Sequence, residues 1–277
     1  MKTKKSLLNL ICWISLSMIF NIFIFYLKGE KAAWEYFGGY IVEMSLSLDN
    51  LFLFLMVFSS FKIREEHQER VLLYGVIGAM VLRLVFILLG VAIISKFSML
   101  LSIFGVILLI SGFKMFSKEN DNIQVKDNFA VKVLRHIIPI TNNFYGNKFF
   151  IKRKGITYAT PLLAALLVIE FSDIIFAIDS IPAIFSITTN TFIVYTSNIF
   201  AILGLRSMYY ILQKMNNMFK FMKYGVGGIL IFTGLKLMLI FWKIEISVTN
   251  SVLIICIMLL ISILVSSVWN EIAKLKS

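Results

Sequence analysis

The sequence predicts an all-α, polytopic membrane protein with about eight transmembrane helices, and three observations carry that reading. Hydrophobic residues make up 59% of the chain and charged residues only 15%, with a mean hydropathy of +0.89. A water-soluble chain of 277 residues needs far more polar surface. The apolar residues run in long blocks instead of stripes, and several blocks reach the roughly 20 residues that cross ~30 Å of hydrocarbon. The basic residues, finally, sort by alternate loops.

Taken in order, the spans read as 7–27, 36–60, 71–95, 97–116, 158–185, 191–212, 222–242 and 249–269. The first follows Lys2, Lys4 and Lys5 as a secretory signal would, but its run is too long for one and no A-x-A cleavage site follows. It is expected to remain as a helix, peripheral to the rest, as is the last. Most connections are short. The exception, 117–157, is rich in Asn and Lys and holds one moderately apolar stretch, 129–140, which reads either as a membrane-surface helix or as part of an ordinary folded loop.

With the N-terminus in the cytoplasm, nineteen loop and terminal Lys or Arg residues fall on that side, eight of them in the long loop. Only Lys28, Lys31, Lys96 and Lys243 fall on the other. The positive-inside rule then places both termini in the cytoplasm. The formal net charge of +12 is accounted for by this sorting, so nucleic acid is not an expected partner. Cys12 and Cys256 are too few and too far apart for a soft-metal site or a disulfide framework, and are expected to be buried apolar fillers. His67 and His136 fall in cytoplasmic segments and are expected to be solvated.

Nine charged residues remain inside the spans: Glu43, Asp49, Arg83, Lys114, Glu170, Asp173, Asp179, Arg206 and Lys236. Each costs on the order of 2.5–3.5 kcal/mol at a helix centre, so they are expected to face a protected interior. Lys114 and Lys236 lie near span ends, within snorkelling reach of an interface.

The spacing of these residues repeats. Glu43 and Asp49 are six apart and are followed by Arg83, then Gly105, Gly112 and Lys114. Asp173 and Asp179 are six apart and are followed by Arg206, then Gly227, Gly234 and Lys236. Each copy, 36–116 and 158–242, spans three helices, and the loop between them is cytoplasmic. The second copy therefore enters the membrane from the opposite side, and such inverted repeats place a substrate site near the midplane where the copies meet.

The candidate ligands lie in the first helix of each copy. In 43–50, Glu43, Ser47 and Asn50 share one face at about 100° per residue, with Ser45 and Asp49 on the neighbouring stripe. In 170–180, Glu170, Ser172, Asp173, Asp179 and Ser180 supply the matching oxygens. Glu170 and Asp179 point to roughly opposite faces of a regular helix. Either the helix unwinds, which Pro161 and Pro182 would favour, or one acid serves a different partner. Carboxylate, amide and hydroxyl oxygens suit hard cations such as Mg²⁺, Mn²⁺ or Ca²⁺. The contrary reading is that the acids merely pair with Arg83 and Arg206 as structural salt bridges. The glycines read more simply as close helix packing than as ligand loops.

The stretches 43–54 (EMSLSLDNLFLF), 160–185 (TPLLAALLVIEFSDIIFAIDSIPAIF) and 192–209 (FIVYTSNIFAILGLRSMY) closely resemble the TerC family of integral membrane proteins, and the resemblance runs from about Gly29 onward. Members have been tied to tellurite resistance, and several to manganese export. The resemblance thus implies a bacterial inner-membrane exporter of Mn²⁺, with Glu43, Asp49, Asp173 and Asp179 at the family's motif positions. Longer members usually carry a further span before the helix that begins near Leu7, so the N-terminal topology rests on the charge count.

The sequence therefore leads to a divalent-cation exporter, with Mn²⁺ as substrate, no permanent cofactor, and protons as a candidate exchange ion. Its metal ligands are expected to be Glu43, Asp49, Asn50, Asp173 and Asp179. Ser45, Ser47, Arg83, Glu170, Ser172, Ser180 and Arg206 are expected to support them. The alternatives are a structural or stress-response membrane protein and an oxyanion handler using Arg83 and Arg206, the latter opposed by the excess of acids. No nucleophile with a partnering base, phosphate loop or cofactor motif points to an enzyme.

Overall fold

A computed structural model describes residues 2–96, 100–116, 129–141, 143–153, 155–215, 222–239, 244 and 246–275. Its helices are α1 (Lys2–Lys28), α2 (Glu30–Ser60), α3 (Glu65–Lys96), α4 (Leu100–Phe116), α5 (Phe129–Ile137), α6 (Pro161–Phe185), α7 (Thr191–Met215), α8 (Met222–Leu239) and α9 (Val248–Leu275). The fold is that of an all-α membrane protein. Five helices, α1, α3, α6, α7 and α9, are long and apolar enough to cross a membrane, and α4 and α8 are shorter apolar helices. The outer surfaces of α1, α3, α4 and α9 present Leu, Ile, Val and Phe, as lipid contact requires.

Helices α2 and α3 each begin about two turns before the spans read from hydropathy, at Glu30 and Glu65. Their first turns are polar but still helical, and hydropathy registers only the part that enters hydrocarbon. A single residue, Gly29, joins α1 to α2 with φ of 86°, a conformation that glycine adopts without a Cβ clash. Helix α6 is not broken. It starts at Pro161, behind an extended Thr160, and runs unbroken to Phe185 with Pro182 in its final turn. The unwinding that the prolines suggested does not occur.

The long connection is a folded cap where it is described, from residue 129 onward; residues 117–128 lie outside the described residues. Helix α5 buries Val131 and Leu134 and packs on α6. A hairpin missed from the sequence follows, with β1 (Phe150–Arg153) antiparallel to β2 (Ile156–Ala159) and Phe150 opposite Ala159. Its base is tied to α6, because the Thr160 hydroxyl donates to the Lys148 carbonyl at 2.8 Å. The Arg70 guanidinium lies 5.2 Å from the Phe149 ring. His67 is not simply solvated: its Nδ1 is 2.5 Å from Asn147 Oδ1 and its ring stacks on Phe144. His136 is exposed.

Two apolar clusters fill the bundle, and the same four helices contribute to both. One holds Leu51 and Phe58 of α2, Leu72 of α3, Leu162 and Ile169 of α6, and Ile202 and Tyr209 of α7. The other holds Val42 of α2, Ile87 of α3, Ala177 and Ile184 of α6, and Val194 of α7. Between them lie polar residues of each helix: Glu43, Ser47 and Asn50 of α2, Arg83 of α3, Ser172 and Asp173 of α6, and Asn198 of α7. A polar layer is thus sealed between two dry ones.

Helix α4 packs most extensively against α8, and the glycines explain the closeness of the approach. A Cβ on Gly105 would sit 2.8 Å from the Gly234 carbonyl oxygen, and one on Gly234 the same distance from that of Gly105. Gly112 and Gly227 are opposed in the same way, at 2.8 and 3.1 Å. Low numbers on one helix meet high numbers on the other, so the two cross antiparallel.

Candidate functional site

Arg83 is the centre of the polar layer. Only 1% exposed, it extends from α3 between α2 and α6. Its Nη1 donates to Glu43 Oε1 in a close contact, its Nη2 to Asp173 Oδ1 at 3.2 Å, and its Nε to Asp173 Oδ2 at 3.4 Å. One planar guanidinium therefore bridges the first acid of each sequence copy, a task for which Arg's fixed fork is suited and Lys is not.

The two carboxylates are held unequally. Glu43, with no exposed surface, also accepts from Ser47 Oγ at 3.2 Å and from Asn198 Nδ2 at 2.9 Å, so three side chains from three helices saturate it. Among the described residues, Asp173 accepts two bonds from Arg83 and a third, long one from Asn50 Nδ2 at 3.4 Å. Ions taken out of water cost several kcal/mol each unless paired and hydrogen-bonded. Glu43 meets that condition fully and Asp173 loosely.

Beside this cluster lies a cavity of about 80 Å³, lined by Leu46, Asn50, Arg83, Ser111, Met115, Phe176, Asp179, Ser180 and Leu230. Asp179 reaches it from α6 and accepts from Ser111 Oγ of α4 at 2.8 Å. Ser180, 2% exposed, turns its hydroxyl into the same region with no hydrogen-bond partner. Asn50 has its amide nitrogen committed to Asp173, which leaves its carbonyl oxygen as the atom to offer a cation. A carboxylate, two hydroxyls and an amide around a small void form an oxygen-rich set that a hard cation favours.

The residues expected from the sequence thus separate. Glu43, Ser47, Asn50, Arg83 and Asp173 converge, while Asp179 and Ser180 line the adjoining cavity. Ser45 and Ser172 donate back to the carbonyls of Ile41 and Val168 of their own helices, at 2.5 and 2.8 Å. Glu170 packs on Gly78 of α3 with Oε2 unpartnered; it makes no hydrogen bond to the Arg83 cluster among the described residues but lies near enough to Asp173 for the two charges to act on each other. Arg206 does not reach the centre: it pairs with Glu69, and both side chains are substantially exposed. The Asp49 side chain lies outside the described residues. Lys236 is buried and donates to Ser251 Oγ at 2.7 Å instead of snorkelling, whereas Lys114 is exposed. Cys12 is exposed and Cys256 half-buried, so neither is the buried filler expected. Among the described residues no three His, Cys, Asp or Glu side chains form a ready-made metal cluster.

Two contributors were missed from the sequence, Ser111 and Asn198. An isolated serine in an apolar helix carries no signal. Asn198 had one, an amide in the middle of a span, where polar groups are costly.

Comparison with known proteins agrees with this architecture. The family model described as "Integral membrane protein TerC family" matches residues 28–274. A "Putative membrane-bound redox modulator Alx" of Photorhabdus laumondii is 44% identical over 238 residues, covering 83% of this chain and 74% of that one. The Alx protein of Escherichia coli strain K12 is 43% identical over 249 residues, 87% of this chain and 78% of its own length. The "Thylakoid membrane protein TERC, chloroplastic" of Arabidopsis thaliana is 43% identical over 253 residues, 91% of this chain and 66% of its length. No solved structure matches. The chain belongs to the TerC family of integral membrane proteins.

Proposed function

We propose that this protein exports a hard divalent cation, with Mn²⁺ the first candidate, across a bacterial inner membrane by alternating access, with both termini cytoplasmic. The observation that carries the reading is the cavity at Asp179, where Ser111, Ser180 and Asn50 add neutral oxygens to one carboxylate beside a polar layer sealed between two apolar clusters. Mn²⁺ follows from the family resemblance together with the absence of any sulfur or imidazole ligand but Met115 among the lining residues.

Alternating access rests on the inverted repeat, α2–α3–α4 against α6–α7–α8. The packing supports it: exchanging the two sets turns the contact of α2 with α7 into that of α6 with α3, and that of α4 with α6 into that of α8 with α2. The reciprocal glycines of α4 and α8 fit the same two-fold relation, since Gly105 and Gly227 hold equivalent places, as do Gly112 and Gly234. A ligand site between such halves opens to alternate sides as one rocks on the other. The two cysteines are free, lie on α1 and α9, and do not line the cavity, so the redox role in the bacterial relatives' names is not carried over.

The saturated Glu43 favours a second reading, in which the Arg83 cluster is purely structural. Transport into inside-out vesicles separates the two. Mn²⁺ uptake per folded molecule is expected to be lost in Asp179→Asn with yield and Tm retained. Wild-type uptake by that variant defeats the reading, and loss of uptake only in step with folded protein favours the structural one.

A further inference from the structure

Resting on that reading, we propose that Arg83 is a tethered competitor of the transported ion: its guanidinium holds Asp173 until a divalent cation entering the Asp179 cavity takes that carboxylate over.

The geometry points to this in three ways. The two side chains that hold Asp173, Arg83 and Asn50, are the same two that connect its surroundings to the cavity wall. Asp173 itself does not line the cavity, so an ion there approaches that carboxylate past these two side chains. Arg83 holds Asp173 by a two-point fork whose bonds are long, 3.2–3.4 Å, and the far end of the same guanidinium is anchored on Glu43, itself fixed by Ser47 and Asn198. The guanidinium can thus leave Asp173 without leaving Glu43. Finally, the arrangement is one-sided. Arg206, which holds the matching place in the second repeat, pairs with Glu69 instead, so it brings no second guanidinium to the Arg83 cluster.

Charge makes the exchange reasonable. Among the described residues, Glu43, Asp173 and Asp179 share this layer with the Arg83 guanidinium, and Lys114 acts on Asp179 from the end of α4, so a divalent ion entering the cavity meets acids that fixed cations already hold in part. Without the ion, the guanidinium keeps Glu43 and Asp173 from repelling each other across a dry interior. With it, the positive ion repels the guanidinium and draws Asp173. Cation binding and a shift of α3 against α6 become one event, which is what ties occupancy to a change of access.

Equilibrium Mn²⁺ binding to the purified full chain in nanodiscs tests the proposal. The main variant is Glu43→Gln with Arg83→Gln, which removes one charge of each sign. It disturbs folding less than loss of Arg83 alone, because one acid and not two is left unpaired and the new amide at position 43 can donate to Asn198 Oδ1, which is buried without a partner. Removing a competing charge within a few ångströms is expected to tighten Mn²⁺ binding by about tenfold or more, on the scale of one to three pK units for such neighbours. Transport turnover is expected to fall, since nothing then displaces the ion. Binding unchanged or weaker than wild type overturns the proposal and leaves the transport reading intact. If wild type itself binds no Mn²⁺ and moves none in vesicles, the underlying reading fails instead. Should the double variant not fold, Arg83→Lys decides. An ammonium holds Asp173 as a point charge and not through a two-point fork, so it yields the carboxylate more readily and tighter binding is again expected; unchanged or weaker binding overturns the proposal.

Discussion

Adding one methyl group at Gly105 tests the close packing of α4 on α8. The Cβ of Gly105→Ala would lie 2.8 Å from the Gly234 carbonyl oxygen, 2.9 Å from Met238 Cγ and 3.2 Å from the Met238 nitrogen. Two of these atoms are backbone and cannot swing aside, so α4 and α8 must separate by roughly half an ångström or more to restore ordinary contact. Such overpacking costs about 1–3 kcal/mol, against a helix-propensity gain of about 1 kcal/mol for Gly→Ala, so the net expectation is a loss of up to about 2 kcal/mol. Gly228→Ala is the control, because its Cβ would meet only Met258 Sδ at 3.9 Å. It is expected to be neutral or slightly stabilising. Unfolding of the two variants in detergent, by heat or by graded denaturant, measures the difference. A Gly105→Ala protein as stable as Gly228→Ala would refute the close antiparallel crossing.

Two buried cations are expected to behave in opposite ways. Arg83→Met leaves Glu43 and Asp173 facing each other unpaired and should cost about 3–5 kcal/mol, read as a large fall in Tm and yield. Lys236→Met should cost nothing measurable, because its one described partner, Ser251 Oγ, also donates to the Ser247 carbonyl at 2.9 Å and stays satisfied. Topology is checked with single cysteines in a chain lacking Cys12 and Cys256. Lys152→Cys is expected to react with an impermeant maleimide only in inside-out vesicles, and reaction from the outside of intact cells would reverse the orientation.

Much of the fold was legible because hydrocarbon permits few solutions. Long apolar blocks can only be helices, and the spans read from hydropathy fell within α1–α4 and α6–α9 to a few residues wherever the structure describes them. The polar turns at Glu30 and Glu65 were invisible to hydropathy because they are helical outside the bilayer. The hairpin at residues 150–159 was missed although it carries its own signal, with Phe150, Ile151, Ile156, Thr157 and Tyr158 in its strands and Gly155 at its turn; it is tied to the bundle through Phe149 and Thr160.

The site was half legible. Spacing on a helix put Glu43, Ser47 and Asn50 on one face, which is where they meet Arg83 and Asp173. Spacing also treated Arg83 and Arg206 alike, and there it failed. Glu69 stands in the second turn of α3 and gives Arg206 a partner near the helix end. The residue equally far before Arg206 is Phe192, which offers Arg83 nothing, so Arg83 turns to the central acids. Spacing matches the two arginines in sequence, but each charge goes to the nearest group that can satisfy it.

The most direct measurement is the position of the ion itself. Crystals of the full chain grown with Mn²⁺, with diffraction recorded at the manganese absorption edge, should give an anomalous peak in the cavity, coordinated by Asp179 together with Ser111, Ser180 or Asn50. The peak should vanish in Asp179→Asn. An anomalous signal confined to surface carboxylates, or a central peak unaffected by Asp179→Asn, would contradict the assignment of this cavity as the transport site.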